Sequence, residues 1–211
     1  MKPRVKIIIA LLCAVLIAVL LRAFVVGSYS VPFEGMEPSL HKGERILVNK
    51  WNYKRVKRGD IIVFDDPSTT EAHKTLVGRV MALPGDVIYM DHAFNFSKAV
   101  NLQDTLPAQP IMIPLKGVET PIRPWNATLM RNTLTLHEGL QAEVKDGVLY
   151  IDGKATNAYN SKQSYYWVMM DTESTLSDSR LFGFVPEDHL IGKATRIWFS
   201  NQLSRLWKKV E

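Results

Sequence analysis

A chain of 211 residues can hold one sizeable hydrophobic core, or a core with a smaller attached lobe. Its hydrophobic content of 46% excludes a disordered chain, and its single cysteine, Cys13, excludes a disulfide framework. The net charge of +5 is modest, and without a disulfide the fold is expected to rely on packing alone.

Residues 7–21 carry no polar side chain, and after Arg22 the apolar character resumes through residues 23–26. About twenty such residues cross roughly 30 Å of hydrocarbon as a helix, with Arg22 free to snorkel toward the headgroups. A cleaved signal peptide has a shorter apolar run and a small-x-small site, and a buried soluble helix keeps a polar face. Neither pattern is present, so a single uncleaved membrane anchor over residues 1–26 is expected. Lys2, Arg4 and Lys6 precede the run, which leaves the N-terminus in the cytoplasm and the rest of the chain outside. Lys50, Lys54, Arg55, Lys57 and Arg58 form the densest basic cluster. Next to an anchor it reads as a solvated loop or a headgroup contact rather than a nucleic-acid patch, and no nucleic-acid partner is expected.

Beyond the anchor, residues 45–48, 60–64, 76–83 and 87–90 are strand candidates separated by glycine and proline turns. Prolines 107, 110, 114, 121 and 124 confine any strands of the next stretch to short or edge positions. Residues 126–138 suit a helix with Asn126 as cap. Residues 147–151 with Asp152-Gly153 look like half of a hairpin. Residues 165–169 and 194–199 are the final strands, and the tail over 202–211 is short and amphipathic. The predicted fold class is mainly β: a membrane helix, then an all-β core over 27–90 and 165–201 with a smaller inserted β-rich lobe over 91–164. The five histidines are scattered, no metal-ligand spacing is present, and no cofactor is expected.

Four separated segments carry a resemblance. They are Met36-Glu-Pro-Ser-Leu40; Gly43-Glu-Arg-Ile-Leu-Val-Asn-Lys50 with Arg58-Gly-Asp-Ile-Ile-Val-Phe64; Arg79-Val-Met-Ala-Leu-Pro-Gly-Asp86; and Ser177-Asp-Ser-Arg-Leu-Phe-Gly-Phe-Val-Pro186 with Ile191-Gly-Lys-Ala194. Their order and spacing resemble the type I signal peptidase family. That resemblance implies a membrane-anchored β enzyme that removes signal peptides at the outer membrane face with a serine nucleophile and a lysine base.

The chemistry requires those groups: a serine hydroxyl needs a base, a buried lysine can supply one, and the oxyanion needs preorganised donors. By the resemblance, Gly35 stands at the nucleophile and Gly78 at the lysine. Phe33 replaces a serine of the oxyanion hole, and Leu176 a serine that orients the lysine. Arg79 with Asp171, and Asp178 with Arg180, match charged pairs that brace the family's site. Ser39 and Lys74 are substitutes of low expectation, with Ser30, Lys42, His73 and Glu34 weaker still. Lys74 lies four residues before Gly78, about 13 Å along a strand.

The expected function is a signal-peptidase-like membrane protein without the standard dyad. It would bind extended, signal-peptide-like segments of exported proteins by strand addition. The expected groove comprises Ser30, Val31, Pro32, Phe33, Glu34, Gly35, Met36, Thr75, Leu76 and Val77. An active signal peptidase with relocated or partner-supplied residues is the first alternative, and a structural membrane subunit the second. The expected location is the bacterial inner membrane, and an active signal peptidase or a surface-assembly machine would be a further partner.

Overall fold

A computed structural model describes residues 3–51, 55–68, 74–90, 109–172 and 177–211, with the side chains at 6 and 17–24 outside the description. Helix α1 runs Pro3–Phe24. Strands β1 (Val26–Ser30), β2 (Arg45–Asn49), β3 (Ile61–Asp65), β4 (Thr75–Ala82), β5 (Val87–Met90), β6 (Gln109–Met112) and β7 (Glu119–Pro121) precede helix α2 (Ala127–His137). Then come β8 (Ala142–Lys145), β9 (Val148–Ile151), β10 (Lys154–Thr156), β11 (Ala158–Asn160) and β12 (Tyr165–Met169). Helix α3 (Ser179–Phe182), β13 (Val185–Pro186), β14 (Leu190–Phe199) and a 3₁₀ turn at Leu203–Arg205 complete the chain.

The described apolar part of α1, residues 7–16, covers about 15 Å at 1.5 Å per residue, half a hydrocarbon core. Among the described residues no helix is long and apolar enough to cross a membrane.

A seven-stranded sheet ordered β1-β2-β14-β3-β4-β12-β13 forms the main layer, and its pairs are antiparallel. The sheet curls over, because Val31 and Met36, just after β1, share one core cluster with Val77 of β4 and Met170 beyond β12. Ile62, Phe64, Leu76, Val80 and Val168 make a second cluster. A third joins the sheet to the lobe, with Tyr165, Trp167 and Phe184 packed among Ile88, Ile113, Met130, Leu134 and Leu149.

The expected strands are found within a residue of their expected ends, except the last, β14, which begins at Leu190, four residues before the expected start at 194. In the lobe, β8, β9 and β10 form two successive hairpins. Their turns are Asp146-Gly147 (φ 51° and 76°) and Asp152-Gly153 (φ 49° and 79°), the positive-φ pairs that two-residue hairpins select. Gly147 thus belongs to a turn and not to the strand it was expected to begin. Asn126 occupies the N-cap position of α2 but makes no side-chain cap bond. Its amide instead closes the preceding turn, accepting from Arg123 N–H at 2.7 Å and donating to Pro121 C=O at 3.0 Å. The tail folds back onto β14: Ile197 N–H donates to Lys208 C=O at 3.0 Å and Val210 N–H to Thr195 C=O at 3.0 Å, with Val210 buried.

Candidate active site

Residues 31–40 cross from β1 toward β2 on three buried side chains, Val31, Met36 and Leu40, while Pro32, Glu34, Glu37 and Pro38 stay exposed. A buried ion pair clamps this crossing from the far end of the chain. Arg205 Nε donates to Glu44 at 2.6 Å and its Nη2 donates to Ser39 C=O at 2.9 Å. Ser200 and the His41 N–H each donate to the same carboxylate at 2.8 Å. Burial pushes the Glu44 carboxyl up, but the bonds from Arg205, His41 and Ser200 together hold it below the ordinary carboxylate range. Sequence reasoning missed Glu44 and Arg205, because each reads as a surface charge until the tail brings them together.

Gly35 is buried, its φ is +140°, and its carbonyl accepts the Thr172 N–H at 2.9 Å. This backbone geometry is one that L side chains rarely adopt. The position that should carry the nucleophile is therefore shaped around a glycine.

Gly78 lies buried in β4 opposite Ile62. A Cβ built there would stand 2.6 Å from Val168 Cγ1 and 3.3 Å from Met169 O, with Phe64 Cε1 at 3.5 Å. Val168 occupies the space a lysine stem would need. Phe33 is half-buried and packs against both sheet clusters, so the expected oxyanion side is lined by an aromatic ring.

The braces are in place. Arg79 donates to both Asp171 oxygens, at 2.7 and 2.8 Å, and to Gly59 C=O at 2.8 Å. The same guanidinium donates to Ser39 Oγ at 2.8 Å and to the Glu211 main-chain oxygen at 3.2 Å. Its bonds to Asp171 keep Arg79 firmly protonated. Asp178 caps α3 by accepting from Arg180 N–H, pairs with the Arg180 side chain at 2.6 Å, and accepts from Met170 N–H at 3.0 Å. Ser179, which sequence reasoning passed over, accepts from Val168 N–H at 2.9 Å. Asp178 and Ser179 thus continue the ladder of β12 where β13 stops at Tyr166.

The substitute residues do not converge. Ser39 faces a guanidinium, which cannot act as a base. Lys74 pairs with the buried Asp66 at 3.3 Å, and its side chain is 61% exposed. Burial pushes Asp66 up, yet the Ser68 bonds and the Lys74 ammonium hold it below the ordinary carboxylate range. Lys74 and Arg79 are about 17 Å apart along β4. Ser30 is exposed opposite Arg45, and Lys42 meets Glu34 at 4.0 Å with both side chains exposed. His73 and Leu176 lie outside the described residues. Among the described residues no cluster of three His, Cys, Asp or Glu could hold a metal.

Part of β4 presents a backbone edge among the described residues. Asp66 N–H donates to Lys74 C=O at 2.8 Å and Val80 N–H to Asp60 C=O at 2.9 Å. These two bonds set the ladder parity: the even residues of β4 face β3, so the peptide groups of Thr75 and Val77 face the other way. β12 meets that side from Arg79 onward, and among the described residues no strand pairs with it at Thr75 to Val77. Leu76, Val77, Val31 and Met36 are buried. Phe33 packs against the cluster that holds Val77, Val31 and Met36, so it lies on this side of the sheet.

Comparison with known proteins agrees with this architecture. Residues 4–113 and 160–199 match the family described as signal peptidase, peptidase S26. The chain is 28% identical to signal peptidase I of Aquifex aeolicus, over 95% of this chain and 86% of that protein. It is also 28% identical to signal peptidase I of Buchnera aphidicola from Schizaphis graminum, over 87% of this chain and 71% of that one. The Pseudomonas fluorescens enzyme of the same name is 27% identical, over 87% and 68%. With the matched segments covering most of the chain, this protein belongs to the signal peptidase family, peptidase S26.

Proposed function

We propose that this protein binds extended, signal-peptide-like segments of exported proteins without cleaving them, as a chaperone or adaptor. The observation that carries this reading is the packing of Val168 against Gly78, which leaves little room for a side chain there, while among the described residues no strand pairs with β4 at Thr75 to Val77, the edge an added strand would use. Gly35 supports it, since L side chains rarely adopt its φ of +140°. Ser39 on Arg79 and Lys74 on Asp66 weigh against a relocated dyad. An active peptidase would need its reactive groups from a partner, and a purely structural subunit would leave the free edge without a role.

The reading places the domain outside the inner membrane on one N-terminal span, with the short basic N-terminus in the cytoplasm. Supporting that span, residues 7–21 contain no polar side chain, and Ile7, Ile8, Leu11, Leu12, Val15 and Leu16 are each more than half exposed. An active signal peptidase or a surface-assembly machine would be the natural recipient of the held segment.

Peptide titration of the full-length chain tests the edge. Thr75→Pro removes an outward N–H and leaves the β3 ladder intact, so it should weaken binding of an extended signal-peptide segment by about fivefold or more. Unchanged affinity in Thr75→Pro would refute strand addition at this edge.

A further inference from the structure

Ser39 is gripped by two guanidinium groups, one on its side chain and one on its main chain. Arg79 Nη2 donates to its Oγ at 2.8 Å, and Arg205 Nη2 donates to its C=O at 2.9 Å. Each arginine is itself anchored by a carboxylate, Arg79 by Asp171 and Arg205 by Glu44. One line of charge-assisted bonds therefore runs Asp171–Arg79–Ser39–Arg205–Glu44, from just past β12 to the residue before β2. That line holds the 31–40 crossing on both sides of Met36. On one side Thr172, next to Asp171, donates to Gly35 C=O at 2.9 Å. On the other, Leu40 N–H donates to Met36 C=O at 2.8 Å, closing the turn that carries Ser39. Met36 is fully buried, in one cluster with Val31 and with Val77 of β4. Ser39 thus lies outside the expected groove residues, yet helps to fix where the crossing stands against β4. Its hydroxyl is not needed to satisfy Arg79, which keeps Asp171, Gly59 C=O and the Glu211 main-chain oxygen without it. The bond therefore bears on position more than on stability. A binding wall already held in its bound geometry gains affinity, because less ordering remains to be done on association.

We propose that Ser39 is a positioning residue for the peptide groove, its hydroxyl and carbonyl locking the 31–40 crossing between Arg79 and Arg205. The inference rests on the peptide-binding reading above and deepens it. Ser39 acts through the crossing and touches no peptide itself.

The test compares the unaltered full-length chain in lipid nanodiscs with Ser39→Ala and Ser39→Thr. Each is titrated with a synthetic signal-peptide segment that contains a small-x-small site. Ser39→Ala should weaken binding about fivefold, the equivalent of one hydrogen bond, while its urea midpoint stays close to that of the unaltered chain. Exchange of the Leu40 amide should quicken in Ser39→Ala whether or not peptide is present. Ser39→Thr keeps the hydroxyl and should restore both the affinity and the slow exchange. Failure of threonine to rescue, or a loss of affinity matched by a loss of stability, would overturn the proposal. Full binding by Ser39→Ala would overturn it too, and would leave the peptide-binding reading standing. Absence of saturable binding by the unaltered chain would refute that reading, and the positioning role would fall with it.

Discussion

Replacing Gly78 by lysine tests whether the base position has been closed by packing. The new Cβ would stand 2.6 Å from Val168 Cγ1, well inside contact distance, and 3.3 Å from a backbone carbonyl that cannot easily withdraw. Val168 is fully buried and belongs to the cluster with Phe64, Leu76 and Val80, so it has nowhere to rotate without disturbing them. Overpacking of this kind costs about 1–3 kcal/mol, before any cost of burying an ammonium. Urea denaturation of Gly78→Lys, Val168→Ala and the double variant gives the coupling directly. Val168→Ala alone should destabilise by opening a cavity. In that background Gly78→Lys should cost at least about 1 kcal/mol less than in the unaltered chain. Strict additivity would refute the argument, as would a Gly78→Lys chain as stable as its parent.

Other perturbations should behave as follows. Gly35→Ala forces a side chain onto a φ of +140° and should lower stability by about 1 kcal/mol or more, read from a urea midpoint. Arg205→Met leaves Glu44 buried without its cation; a loss of about 3–5 kcal/mol is expected, with the 31–40 crossing gaining hydrogen exchange. Since the folded pKa of Glu44 lies below its ordinary 4.5, the stability it contributes is present above that value and fades as acid protonates it. His137 is pushed down to about 4, by burial first and then by the neighbouring His189, with the Asp188 carboxylate opposing. The unfolded chain binds that proton near pH 6.5, so stability should fall between about pH 6.5 and 4. His137→Gln should flatten that part of the curve, and an unchanged slope would count against the assignment.

The strands were legible because each is a short apolar run between glycine or proline turns, and the mainly β class followed from them; the order β1-β2-β14-β3-β4-β12-β13 did not. Arg79 with Asp171 and Asp178 with Arg180 were also legible, since both pairs sit inside recognisable segments. The Glu44–Arg205 clamp was not: its partners are 161 residues apart, and nothing local marks Arg205 as buried. Ser179 was hidden for a different reason, because its role is to accept a backbone N–H that the end of β13 leaves unpaired. The two glycines of the site could be read as missing side chains, but the φ of Gly35 and the methyl of Val168 against Gly78 are visible only in three dimensions.

The central claim is that the groove holds a peptide and does not cut it. Its most direct test incubates the full-length chain with a preprotein bearing a small-x-small site and follows both complex formation and intact mass. The account predicts a saturable complex and a preprotein of unchanged mass. Release of a fragment cut at that site, by the unaltered chain alone, would contradict it.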